Sequence, residues 1–297
     1  MDKLDTLVKR FLEDNYYIKY VDKQLDTVVI YTYNDKIKIW NRINIDSINS
    51  LFLTYISEKM INPFDLLTMN VSSILKFGVY IKSKIPLIQN FQFNKKSYNF
   101  PTNNGLIINS QTNTISVRNY TDHFTYFYQA KYLNINNLNH IKSNLLLYFD
   151  NMYSELIDII GNIFFFGQYK NKSNFIFYSS YYGNPIKDFI FNLINHSFGK
   201  YIDNFTDDID APHVCYIIEP NINDLKNIIR KGVFIDLIFT HKIINDKFID
   251  EHYNFVDLSN LKYTPDSKYN FNEYFTFIVN EFLKYPNINL DSNCRIM

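Results

Sequence analysis

The residues best suited to chemistry lie in one segment, Asn174–Tyr201, with the sequence NFIFYSSYYGNPIKDFIFNLINHSFGKY. Its pattern predicts a strand, a short loop with a glycine and a lysine, and then an amphipathic helix. Loop amides and the positive end of a helix attract an anion, and a lysine adds a point charge. The segment therefore predicts a site for a nucleotide phosphate, with four candidate binding residues: Gly183, Asn184, Lys187 and Asp188.

The same loop lacks several features of an efficient phosphate-binding loop. Ile186 stands where a glycine would let the backbone approach the phosphate, and Pro185 removes one amide donor. Asp188 and Phe189 occupy the positions where serine or threonine hydroxyls would hold Mg²⁺. Taken alone, such a motif is more often an ordinary connection between a strand and a helix, and this interpretation stays open.

Two further candidate residues follow predicted strands. Glu219 follows the apolar run Val214–Ile218, and a carboxylate at such a position can activate water or position a metal ion. His241 follows the run Val233–Phe239, where a polar side chain can contact a terminal phosphate. We take both as candidate catalytic residues, although a glutamate before a proline is more often solvated and a lone histidine more often structural. The 6 histidines and 2 cysteines show no ligand spacing, so no metal site is predicted.

The overall charge argues against one class of protein. Lys plus Arg and Asp plus Glu number 30 each, which argues against a domain that holds nucleic acid by bulk electrostatic attraction and leaves open a local basic strip inside the channel of an oligomer. Aromatic residues make up 18%, and with abundant Asn, Ile and Lys they indicate the codon bias of an AT-rich genome. No signal peptide, disulfide pattern or long apolar run is visible, which predicts an intracellular protein without a membrane anchor.

The first half of the chain mixes helix and strand patterns. An amphipathic helix is predicted over residues 4–15, and a hairpin pairs Asp26–Tyr33 with Lys36–Trp40. Two short strands flank the polar turn Ser110–Asn113. One long helix is predicted over Leu138–Gly161, with six residues in its buried stripe: Leu145, Leu146, Tyr148, Phe149, Tyr153 and Ile157.

In the second half, predicted strands alternate with predicted helices. The strands are Asn174–Tyr178, Val214–Ile218 and Val233–Phe239, and the helices are Ile186–Phe198, Ile222–Arg230 and Asn272–Leu283. This rhythm predicts a mostly parallel sheet with flanking helices. The fold class is therefore α/β, with a mixed α+β domain over residues 1–155 followed by the parallel-sheet domain over residues 156–297.

The order of the motifs resembles that of one family. The motifs are Tyr31–Trp40 (YTYNDKIKIW), Phe100–Gly105 (FPTNNG), Tyr120–Phe124 (YTDHF), Gly183–Lys187 (GNPIK), Phe198–Tyr201 (FGKY), Glu219, and Thr240 with His241. In this order the chain resembles the poxvirus-type primase-helicases of large DNA viruses and phages, across their pre-helicase linker and superfamily 3 helicase domains. The resemblance implies an AAA+-like P-loop fold, ATP and Mg²⁺ as cofactors, DNA or replication proteins as partners, and a ring-shaped homo-oligomer.

The chain also departs from that family in its functional motifs. No Ser/Thr pair follows Lys187, His241 stands where the family carries Asn, and Asp250–Leu258 contains no arginine to act as an arginine finger. These departures predict a helicase-like protein without efficient ATP hydrolysis, acting as a binding or scaffolding subunit in DNA replication in the host cytoplasm or a viral factory. Two alternatives stay open. One is a divergent ATP-dependent DNA helicase in which Asp188 or Glu219 holds Mg²⁺, and the other is a structural virion or viral-factory protein with a vestigial nucleotide site.

Overall fold

The chain divides into two compact units. The structure, a computed structural model, describes residues 2–22, 27–59, 77–89, 91, 93, 99–165, 174–199, 202–203, 214–219, 235–243, 253–261, 263 and 269–284. One unit comprises Met1–Lys95 with Asn119–Thr125, and the other comprises Lys96–Arg118 with Tyr126–Met297. The expected domain boundary between residues 155 and 156 stays a prediction. Within the described ranges, no helix is long and apolar enough to cross a bilayer.

Among its described residues, the first unit contains three helices and a three-stranded antiparallel sheet. Its elements are α1 (Asp2–Asp14), β1 (Tyr17–Asp22), β2 (Thr27–Asn34), β3 (Ile39–Ile43), α2 (Ile45–Lys59) and α3 (Phe77–Lys84), with sheet order β1-β2-β3. Successive side chains of a strand point to opposite faces. Ile30 of β2 accordingly packs with buried side chains of the helices, whereas Val29 and Tyr31 pack with Trp40 on the other face.

The predicted helix over residues 4–15 and the predicted hairpin are both present in this unit. The second strand of the hairpin begins at Ile39 and not at Lys36. The reason is a turn in which the side-chain oxygen of Asn34 accepts a hydrogen bond of 3.0 Å from the amide of Lys36. Residues 35–38 are used to reverse the chain.

The second unit begins with a small antiparallel sheet and two helices. These elements are β4 (Asn99–Pro101), β5 (Leu106–Asn109), β6 (Thr114–Val117), α4 (Asn139–Phe149) and α5 (Tyr153–Phe164). The two strands predicted around the turn Ser110–Asn113 are confirmed as β5 and β6, which pair antiparallel.

The prediction of one long helix over Leu138–Gly161 is wrong. A short 3-10 turn at Asp150–Met152 separates α4 from α5, and Asp150 has a φ of 44°. The predicted buried position of Leu146 is also wrong, because this side chain is 46% exposed. Leu145 and Tyr148, three residues apart, face the core, and Leu146 falls on the outer side of α4.

A five-stranded parallel sheet completes the second unit. Its elements are β7 (Asn174–Tyr178), α6 (Pro185–Phe198), β8 (Ile202–Asp203), β9 (Val214–Ile218), β10 (Ile235–Thr240), β11 (Tyr253–Asp257) and α7 (Phe271–Lys284). The strand order is β11-β7-β10-β9-β8, and every neighbouring pair is parallel. The predicted α/β class and the parallel sheet are therefore confirmed. The predicted helix Ile222–Arg230 lies outside the described residues.

Helices α5 and α7 pack closely against each other. Gly161 of α5 allows close approach of α7, because a Cβ at that position would lie 2.3 Å from the ring of Phe282. Phe164 and Phe275 continue this contact with ring centroids 5.0 Å apart. Aromatic rings thus contribute to the stability of this helix–helix contact.

Candidate functional site

The loop between β7 and α6 keeps an open backbone turn. Gly183 has a φ of 74°, a left-handed conformation that glycine adopts without strain. A Cβ at this position would meet no atom within 4 Å, so no neighbouring side chain fills the space beside the glycine. Among the described residues, the amides of Tyr182 and Gly183 donate no hydrogen bond. With respect to the described residues, the turn therefore presents two amide donors that have no acceptor.

Asn184 is the N-cap of α6 and is fully buried. Its side-chain oxygen accepts hydrogen bonds from the amides of Ile186 at 2.9 Å and Lys187 at 3.0 Å. Its side-chain nitrogen donates to the hydroxyl of Ser179 and to the carbonyl of Leu258, both at 3.1 Å. Two amides at the helix N-terminus are thus satisfied from within the protein. The assignment of Asn184 to nucleotide binding stays a prediction.

Lys187 and Glu219, which are 32 residues apart in the chain, meet at this edge of the sheet. The Nζ atom of Lys187 lies 3.4 Å from Oε1 of Glu219, and the two side chains are 7% and 19% exposed. A salt bridge this well covered is little screened by solvent ions. The candidate binding lysine and the candidate catalytic acid therefore form one pair.

Three groups hold the other oxygen of Glu219. Its Oε2 accepts hydrogen bonds from the hydroxyl of Thr240 at 3.1 Å and from the amide of His241 at 3.2 Å. Nδ1 of His241 also lies 2.7 Å from Oε2, although its geometry is not that of a hydrogen bond, so this contact is electrostatic. Glu219 has a φ of 52°, which is rare for a residue other than glycine and is found where neighbouring structure imposes it.

The environment of Glu219 keeps it ionised. Burial by itself raises the pKa of this carboxyl group, but the contacts from His241, the positive charge of Lys187 and the hydroxyl of Thr240 outweigh it. The pKa is therefore lowered from its ordinary value of 4.5. At neutral pH the site contains a carboxylate.

The register of the sheet explains why these residues converge. Tyr178 at the end of β7 pairs with Thr240 at the end of β10, and Ile218 at the end of β9 pairs with Phe239. Carboxyl ends of adjacent parallel strands open at the same edge, which is where ligands bind in α/β folds. The amide of Glu219 donates to the carbonyl of Phe239 at 2.9 Å and extends this register by one residue.

The loop residues that depart from the pattern of a phosphate-binding loop do not join this group of charged side chains. Ile186 and Phe189 are buried, and Phe189 packs edge-on against Tyr148 and Tyr274 in the core. These two side chains do not occupy the space at Gly183. Asp188 is exposed and makes no ion pair with any residue in the described part of the chain.

Two features of the candidate site were not predicted from the sequence. The buried network of Asn184 with Ser179 is one, although an asparagine before a proline at a helix start is a known capping signal. The ring of Tyr182 is the other, since it is 80% exposed and lies edge-on to His241 with centroids 5.7 Å apart. No sequence signal indicated the Tyr182 contact, because it depends on the fold.

Comparisons with known proteins leave the family open. No protein-family model and no curated protein matches the chain. Among solved structures, the apo structure of the NrS-1 C-terminal region (305–718) aligns with a TM-score of 0.44 and 12% identity, over 94% of this chain and 67% of that chain. Two A-form apo structures of the same region align with TM-scores of 0.46 and 0.45, each at 14% identity and over 94% of this chain, covering 68% and 67% of theirs. At these values the likeness identifies neither a family nor a function.

Proposed function

We propose that this chain is a helicase-related protein of the P-loop, superfamily 3 type that binds a nucleotide phosphate and hydrolyses ATP poorly. The observation that carries the proposal is the convergence of Lys187, Glu219 and His241 beside the open turn at Gly183. A cation, free amides and an ionised acid at the carboxyl edge of a parallel sheet are a suitable set for a phosphate group.

The strand order supports an AAA+-like arrangement. Strand β10 lies between β7, which leads into the loop, and β9, which leads into Glu219. Thr240 and His241 at the end of β10 therefore lie between the loop and the acid, which is the position for a residue that contacts a terminal phosphate. The three motifs are expected to act on one ligand.

Poor hydrolysis is supported by contacts that the loop and the acid already make within the protein. The side chain of Asn184 accepts hydrogen bonds from the amides of Ile186 and Lys187. The ammonium group of Lys187 is already paired with Glu219. No hydroxyl follows Lys187, because Asp188 stands there. Each missing contact to phosphate or metal removes stabilisation of the transition state.

Magnesium, which the family resemblance implies, fits the site only in part. Glu219 supplies a carboxylate at the right edge of the sheet, and carboxylates are ligands that Mg²⁺ prefers. Among the described residues, no group of three or more His, Cys, Asp or Glu side chains could hold a metal ion. We propose that Mg²⁺ would be held jointly by the nucleotide phosphates and Glu219, where it would neutralise phosphate charge.

Binding to DNA or replication proteins, a ring oligomer and a scaffolding role are part of the same proposal. They rest on the family resemblance of the motifs. The formal net charge of zero favours a scaffolding role over a motor that tracks along DNA, because tracking needs a basic surface. A structural virion protein is the competing function, and the self-capped helix start at Asn184 is the observation that favours it.

The test is nucleotide binding and turnover by the full chain. We expect measurable binding of Mg-ATP by calorimetry, weakened about tenfold or more in Lys187→Ala because a charged contact to phosphate is lost. Turnover should lie far below the roughly 10 s⁻¹ typical of enzymes. Lys142→Ala, which changes an exposed lysine of α4, is the control and should bind normally.

The possible results separate the alternatives. Equal affinity of Lys187→Ala and the unchanged protein would rule out this phosphate site and favour the structural role. Fast turnover that Lys187→Ala abolishes would instead establish the divergent ATPase.

A further inference from the structure

The pair formed by Lys187 and Glu219 sets a condition for any ligand of the loop. Lys187 brings a full positive charge to the proposed phosphate position, and its Nζ lies 3.4 Å from Oε1 of Glu219. A phosphate oxygen and this carboxylate oxygen would therefore bind the same ammonium group. Both are anionic acceptors of a charge-assisted hydrogen bond.

We propose that Glu219 is a built-in competitor of phosphate for Lys187, and that it restricts the site to ligands with a polyphosphate chain. This inference rests on the proposed phosphate-binding function. A ligand with one weakly charged group gains little by replacing a carboxylate on the lysine. A diphosphate group carries more charge and has a second phosphate for the amides of Tyr182 and Gly183, which donate no hydrogen bond to a described residue.

The geometry indicates which partner moves. Glu219 is fixed by Thr240 and by His241, whose amide and ring both lie within 3.2 Å of Oε2. Its contact with Lys187 is longer, 3.4 Å, against about 2.7–2.9 Å for a strong hydrogen bond between charged groups. The ammonium sits on a flexible four-carbon stem. Ligand binding is therefore expected to draw Lys187 away and to leave Glu219 in place.

The experiment uses inorganic phosphate and inorganic pyrophosphate as probes, without magnesium, on the full chain. Glu219→Gln removes the competing charge and keeps a side chain of the same shape. We expect pyrophosphate to bind about tenfold or more tightly in this variant, and phosphate to bind measurably only in this variant, because the lysine is released.

Two further variants guard the interpretation. Glu219→Asn also removes the charge and tolerates the positive φ at this position better, so it covers the case in which Glu219→Gln does not fold. Asp188→Asn removes one exposed negative charge next to Lys187 and measures the effect of general repulsion alone. Its gain in pyrophosphate affinity should be clearly smaller.

A double-mutant cycle decides the matter. If Glu219 acts through Lys187, the gain from Glu219→Gln disappears when Lys187 is also alanine. The same gain in the Lys187→Ala background, or a gain no larger than that of Asp188→Asn, overturns the competition. Failure of the inference alone leaves Mg-ATP binding by the unchanged protein intact, whereas failure of the proposed function removes binding from every variant.

Discussion

Partly buried acids at two places in the second unit have pKa values that are shifted in opposite directions. Glu219 at the edge of the parallel sheet has a lowered pKa, because hydrogen bonds and a lysine outweigh the effect of its burial. Glu155 and Asp158 on α5 have raised pKa values, and burial is the cause. Neither α5 acid makes an ion pair with a residue in the described ranges. Burial of an acid is thus not what distinguishes a functional site.

The difference lies in what the fold supplies around the carboxylate. At the sheet edge, the end of β10 and the start of α6 bring donors to the carboxylate of Glu219, which follows β9, as expected for a site that binds charged groups. On α5 the same chemical group is only removed from water, which costs stability. The sheet edge is therefore the better candidate for function, and the contrast can be tested through stability as well as through binding.

Asn184→Ala should have the largest effect. The change removes the N-cap of α6 and leaves buried partners such as Ser179 without their hydrogen bonds, so we expect a loss of about 2–3 kcal/mol in unfolding free energy. Denaturant unfolding measures it. Asn137→Ala is the matched control, since Asn137 accepts one hydrogen bond from Asn139 at an exposed position and should cost at most about 1 kcal/mol. Equal losses would mean that the loop at the sheet edge is no better fixed than a surface turn.

The stability contributed by Glu219 should depend on pH in a predictable direction. Because its pKa is lower in the folded state than the ordinary 4.5, ionised Glu219 stabilises the fold fully above that value. This contribution is lost as the pH falls through the folded-state pKa. Glu219→Gln should therefore be less stable than the unchanged protein at pH 7, with a difference that shrinks in acid. A difference that is constant between pH 7 and pH 3 would show that the charge of Glu219 is not stabilised by its neighbours.

Asp158→Asn should give the smallest effect, with the opposite sign. The pKa of Asp158 is raised above 3.8 in the folded state, so its ionised form destabilises the fold at neutral pH and this cost disappears in acid. We expect a gain of roughly 0.5 kcal/mol at pH 7 by denaturant unfolding. Glu58→Gln, at an exposed position on α2, is the control and should change stability little. A loss of stability in Asp158→Asn would remove the contrast with Glu219.

Local sequence pattern was enough to predict several elements of the second unit. The strand Asn174–Tyr178 has the predicted bounds, α6 begins one residue before the predicted Ile186, and Gly183 occupies a turn that needs a positive φ. These features follow from short-range rules, such as apolar runs for buried strands, capping residues at helix starts and glycine in left-handed turns. The break at Asp150 was missed, because the apolar spacing continues through it.

Residue types and spacing alone therefore determined the α/β class, the strand–loop–helix unit and the candidates Gly183, Lys187, Glu219 and His241. Only the tertiary structure decided that Lys187 pairs with Glu219 and that β11 lies next to β7. It also decided that the side chain of Asn184 makes its hydrogen bonds within the protein. The physical reason is the separation along the chain of the residues that interact. Helices, strands and caps are set by neighbours within a few residues, whereas strand order and register bring together charges that are distant in the chain.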